Sequence, residues 1–167
     1  PTGRTRTAPA AGDMPGALRV AFASCQRWEH GHYAAWRHLA ADQPDLVLFL
    51  GDYIYEYATP KTTTDLARTH SLRHATTLAD YRDRYALHKS DPALQLAHAT
   101  CPWAVTWDDH EVQNDYAADA GRGEAAGSAA FLAQRSAAWQ AFYENMPLRA
   151  ASLERPVLDT RWDALQI

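Results

Sequence analysis

Apolar and polar positions fall into blocks that mark out elements along the chain. "LRVAFAS", Leu18 to Ser24, predicts a strand, and "EHGHYAAWRHLAAD" sets Tyr33, Trp36, Leu39 and Ala40 at helical spacing on one face. "DLVLFLG" predicts a second strand, and its unbroken aliphatic run is what a strand covered on both faces looks like. Strand, helix and strand within about thirty residues is the span of a right-handed βαβ unit with parallel strands. "ATPKTTTDLARTHSLRHATT" has no clear periodicity and reads as a long surface excursion with broken helix. "LADYRDRYALHKS" and "DPALQLAHA" predict helices, the second with Asp91 as N-cap and Pro92 at its first position. "WAVTW" predicts a short third strand and "GRGEAAGS" a flexible loop. "SAAFLAQRSAAWQAFYENM" predicts a long helix opened by Ser128 and stopped by Pro147.

Composition narrows the class. A chain of 167 residues with 47% hydrophobic and 22% charged content matches one ordinary globular domain. Its apolar runs all fall short of the roughly 20 residues that span a bilayer. With 16 basic and 20 acidic residues, a net charge of −4 and no basic block, nothing points to a nucleic-acid groove or an anionic membrane, and a small-molecule ligand fits better. Cys25 and Cys101 are too few for a disulfide framework and are not in CxxC spacing. The stretch "PTGRTRTAPAAGDMPGALRV" lacks the apolar core of an export signal.

The chemistry lies in where the polar residues fall. Strand one ends in "SCQ", strand two in "GDYIYE" and strand three in "WDDHEVQND", so each delivers candidate ligands just past its carboxyl end. That edge is where open α/β sheets bind ligands. Asp52 is a hard oxygen ligand able to bridge two cations, Tyr55 offers a phenolate suited to ferric iron, and Cys25 offers a thiolate. His110, between Asp109 and Glu111, adds an imidazole that can protonate a leaving alkoxide.

The strings "FASCQ", "LGDYIYE", "WDDHEVQND" and "ENMPLR", in this order, resemble the alkaline phosphatase D family, a metal-dependent branch related to the calcineurin-like and purple acid phosphatases. The resemblance runs from about Leu18 to the C-terminus. It implies a four-layer α/β/β/α sandwich with largely parallel strands, whose centre pairs Fe3+ with Ca2+ and hydrolyses phosphate mono- and diesters by a metal-activated hydroxide. By the same resemblance Cys25 and Tyr55 bind iron, Asp52 bridges the metals, and Asp109 holds the second metal and the substrate phosphate. His110 matches the family's catalytic histidine, and Asn114 is a further candidate for the second metal. The implied substrates are small-molecule, lipid or polymer phosphate esters, and the implied setting is periplasmic or secreted.

The family's late metal-binding histidines have no counterpart, since the last histidine here is His110. The expectation is therefore an incomplete half of the catalytic domain over residues 18–167. Residues 1–17 resemble the end of a preceding β-sandwich domain and its linker. A truncated remnant that binds metal or phosphate without turnover is the alternative. Other readings of single residues stay open. Cys25 can pair with Cys101 in a disulfide, and Asp52 can be a turn residue. Asp108 and Asp109 compete for the metal-facing place. Arg82 and Arg84 read as the solvated face of a charged helix, and His32, His38, His70, His74, His88 and His98 as surface or satisfied core histidines.

Overall fold

The computed structural model describes residues 2–148, apart from 61, 62 and 64. The final string "LDTRWDALQI" lies outside them. β1 (Val20–Ala23), β2 (Leu46–Leu50) and β3 (Trp103–Thr106) form one sheet in that order, with both pairings parallel. Helix α1 (Ala34–Asp42) connects β1 to β2, and α2 (Leu78–Lys89) and α3 (Pro92–Thr100) come between β2 and β3. Helix α4 (Ala129–Asn145) follows β3. The described residues of 58–77 hold no helix or strand, so the broken helix expected there is not found among them, a string without periodicity having no apolar helical face to bury.

Local chemistry explains the boundaries. The Asp91 carboxylate accepts the Ala93 and Leu94 amides at 2.9 and 3.2 Å, with Pro92 opening α3. Helix α2 opens on a reciprocal box in which the Asp80 amide donates to the Thr77 hydroxyl and the Thr77 amide to the Asp80 carboxylate. Ser128 caps α4, which stops at Met146 before Pro147. The first helix begins later than its string predicts. Residues Trp28–His30 form a separate 3-10 turn, Gly31 is extended, and Tyr33 sits in left-handed backbone at φ 53°. The expected aromatic face is nonetheless anchored: the Tyr33 hydroxyl donates to the Gln26 carbonyl at 2.7 Å and the Trp36 indole to the Gln26 side chain at 3.0 Å.

The main core lies on one face of the sheet. There Val47 and Phe49 are fully buried. Trp36 of α1 lies 6.0 Å from Phe49 and 5.0 Å from Trp103, centroid to centroid. The expectation that β2 is covered on both faces is not met among the described residues. In this register Val20 and Phe22 share the second face with Leu46, Leu48 and Leu50, and Phe22 and Leu50 are 75% and 51% exposed. Hydropathy shows that a face is apolar, not what lies against it. Just past β3, Trp107 packs 5.8 Å from Trp139 and edge-on to Phe142 at 5.3 Å, which sets α4 beside the carboxyl edge of the sheet.

Candidate metal centre

Beyond the ends of β1 and β2 the ladder continues into the loops. The Cys25 amide donates to the Gly51 carbonyl and the Gln26 amide to the Asp52 carbonyl, both at 3.1 Å. Cys25 and Asp52 then both turn through left-handed backbone, at φ 58° and 56°, a conformation that costs a non-glycine residue about 1–3 kcal/mol and collects at functional sites. The turns bring their side chains together. The Cys25 thiol donates to Asp52 Oδ2 at 3.3 Å, and the Tyr55 hydroxyl donates to the same oxygen at 3.1 Å. Gly51 is required beside them: its φ is +101°, and a Cβ there would lie 2.5 Å from the Asp108 Cβ.

The loop after β3 completes the group. Asp52, Asp109 and His110 each offer a ligand atom, and these atoms all lie within 4.8 Å of one another. Asp52 Oδ1 is buried with no hydrogen-bond partner. Asp109, rather than Asp108, faces this cluster, and its Oδ2 accepts the Asp115 amide at 2.6 Å. His110 Nδ1 meets Glu56 Oε2 at 2.9 Å, and Glu56 Oε1 accepts the Asn114 amide at 2.9 Å. Burial opposes charge on the His110 ring, but the Glu56 hydrogen bond and the charges of Glu56, Asp52 and Asp109 outweigh it and hold its pKa above the ordinary value. Burial and the neighbouring Asp52 charge push the Tyr55 phenol well up, so without a cation it keeps its proton.

Cys25, Asp52, Tyr55, Asp109 and His110 are thus gathered at one edge. Asn114 is less central, because its side-chain amide donates to Asp115 at 2.7 Å and Glu56 links its backbone to His110. The disulfide reading is overturned, since both cysteines are free. Cys101 ends α3 just before β3, at the edge of the sheet opposite Cys25.

Two residues that hold the cluster in place escaped sequence reasoning. Glu56 orients His110, and the fully buried Glu111 accepts the amides of Tyr53 at 2.5 Å, Asp108 at 2.8 Å and Asp52 at 3.1 Å. Burial pushes the Glu111 carboxyl up to about 7 against the pull of those amides. The available signal was a glutamate in two of the three polar bursts, at "YIYE" and "DHEV". Arg84 corrects the solvated-face reading. It is 1% exposed and donates to the carbonyls of Arg73 and Glu56 at 2.6 and 3.1 Å, while Arg82 lies outside, forked onto Glu144.

The model of the PhoD-like phosphatase family matches residues 20–165. Alkaline phosphatase D of Bacillus subtilis (strain 168) is 49% identical over 156 residues, covering 92% of this chain and 26% of that protein. A solved structure described as that of PhoD superposes with a TM-score of 0.80 at 49% identity, covering 92% of this chain and 30% of its own. The chain therefore spans about a quarter of the length of the curated relative it matches. The mixed α/β architecture is shared with that structure. With a family model covering nearly all of the sheet, helices and ligand-bearing loops, the chain belongs to the PhoD-like phosphatase family.

Proposed function

We propose that this chain carries the metal-binding edge of a hydrolase that cleaves phosphate mono- and diesters, with ferric iron and calcium as its cations. One observation carries the reading: Asp52, Asp109 and His110 converge, with the thiol and phenol of Cys25 and Tyr55 on one oxygen of Asp52 and the other oxygen buried and unpartnered. A buried carboxylate oxygen without a donor is costly, and a cation is what this arrangement would satisfy. The donor set fits, since thiolate and phenolate suit ferric iron and carboxylates suit a hard dication. Cys25 and Tyr55 would hold the iron, Asp52 would bridge, and Asp109 with Asn114 would face the second cation. Bound there, the pair would supply Lewis-acid polarisation of a phosphoryl oxygen and neutralise developing charge.

The chain's own groups do the rest. Glu56 fixes the His110 ring through Nδ1, which leaves Nε2 to give a proton to the departing alkoxide. Glu111 ties the loop after β2 to the loop after β3, so Asp52 and Asp109 keep their separation. We take the setting to be periplasmic or secreted, as the resemblance implies.

A second reading, binding without turnover, is favoured by the ligand count, because among the described residues the cluster contains a single histidine. Metal analysis of the chain after exposure to ferric iron and calcium, followed by hydrolysis of bis(p-nitrophenyl) phosphate, separates the two. Iron bound with hydrolysis supports the first reading, and iron bound without it the second. An Asp52→Asn chain that retains as much iron as the parent would sink both.

A further inference from the structure

Behind the candidate centre, a cavity of about 630 Å³ opens along α3, with apolar walls from Pro92, Leu96 and Ala99, which share one face of the helix. Thr2 and Gly3 close one side, where the Arg4 amide donates to the Ala99 carbonyl at 2.9 Å. Lys89, at the end of α2, lines the same cavity. It is one of only two lysines in a sequence with 16 basic residues, the other being Lys61. Its ammonium lies 5.7 Å from the Tyr53 ring centroid, and no ion pair to it is found among the described residues. Burial draws its pKa below the ordinary lysine value.

His98, which also lines the cavity, adds no charge at neutral pH. Its Nε2 meets the Tyr53 hydroxyl at 2.8 Å, and burial together with the Lys89 charge holds its pKa down at about 3. Among the described residues no carboxylate lines the cavity. The result is one uncompensated positive charge at the end of an apolar trough, in a cleft of the size that small ligands occupy.

We propose that this cavity binds a small monoanion with an apolar tail, an aliphatic carboxylate, whose head pairs with the Lys89 ammonium while its chain lies along Pro92, Leu96 and Ala99. A lone ammonium matches a single negative charge. A phosphate dianion calls for a larger set of converging donors. The half-buried setting favours the pairing, because a charge already partly stripped of water gains more from a partner than an exposed one does. Tyr53 separates this cavity from the metal centre, its phenol turned to His98 and its backbone amide held by Glu111. The carboxylate site is therefore distinct from the phosphate ester site, and none of the candidate metal ligands lines it.

Calorimetric titration of the chain at pH 7 with octanoate and with 1-octanol tests the assignment. The expected result is octanoate binding roughly tenfold tighter than octanol, a preference retained by Lys89→Arg and lost in Lys89→Met. Leu96 is 49% exposed, so Leu96→Glu leaves the fold alone while setting a repelling charge on the wall, and it should weaken octanoate more than octanol. Equal binding of the two probes by the parent would overturn the proposal. So would octanoate affinity unchanged in both Lys89→Met and Leu96→Glu.

Discussion

Glu111 and Tyr53 are joined across two loops: the buried Glu111 carboxylate, just past β3, accepts the Tyr53 amide, just past β2, at 2.5 Å. The same carboxylate takes the Asp52 and Asp108 amides. Glu111→Gln leaves one acceptor oxygen and turns an NH2 group toward backbone N–H donors. The expected loss is about 1–3 kcal/mol in urea unfolding, with reduced iron uptake because Asp52 and Asp109 lose their common tether. Unchanged stability would mean that the amides find other partners.

Tyr55 and Cys25 can be separated by what each does to bound iron. A ferric phenolate absorbs in the visible, as does a ferric thiolate, so Tyr55→Phe should remove the phenolate part of the visible absorption of the iron-loaded protein and leave the thiolate part, and Cys25→Ala should lower its iron content. Cys101→Ala is the control. Cys101 caps α3 at the opposite end of the sheet, so iron binding should survive its loss.

The pH dependence of stability can be read at His88. The ring is 1% exposed, Nδ1 meets the Arg84 carbonyl at 2.9 Å, and burial pushes its pKa down to about 4. An unfolded histidine titrates near 6.5, so as pH falls through that value the unfolded chain takes up a proton that the folded chain refuses. The His88 contribution is fully present above about pH 6.5 and is lost toward pH 4. Glu111 and His110, whose pKa values are raised, tilt the whole protein the other way, so the test is a comparison. Between pH 7 and pH 5 the parent should lose roughly 1–2 kcal/mol relative to His88→Phe, measured by chemical denaturation.

Arg82 and Arg84 should differ sharply despite lying on one helix. Arg84→Ala leaves the carbonyls of Arg73 and Glu56 short of a donor inside the protein and should cost roughly 2–4 kcal/mol. Arg82 is exposed on Glu144, and its alanine variant should unfold with a midpoint close to the parent's. Similar midpoints for the two variants would remove the inner role given to Arg84.

What was legible in the sequence is what local chemistry writes. Asp91 with Pro92, and Ser128 with Pro147, marked their helix ends because caps and ring closures act within a turn. Polar bursts after each apolar run pointed to the residues that the structure brings together, since parallel strands bring their carboxyl ends to one edge. Glu56 and Glu111 were not legible in their roles, because the partners that make Glu56 orient His110 and Glu111 join the two loops lie more than 50 positions away in the chain. Arg84 was hidden by its neighbours: "YRDRYALHK" reads as a charged surface, and only the Glu56 and Arg73 carbonyls that take its guanidinium hold that position inside. The later start of α1 was obscured because Tyr33 adopts a backbone geometry that its side chain does not announce.

The amides that carry the β1 to β2 ladder past its last strand residues have a further consequence. Sliding β1 by two positions along β2 would return every apolar residue to its own side of the sheet, so hydrophobic burial alone barely penalises the error. The same slip would carry the thiol of Cys25 about 7 Å from the carboxylate it now touches at 3.3 Å. Thiol and carboxylate together therefore act as an alignment key between two strands whose oily faces cannot tell neighbouring alignments apart. A cation gripping both would reward the correct one and leave the slipped chain without a ligand pair.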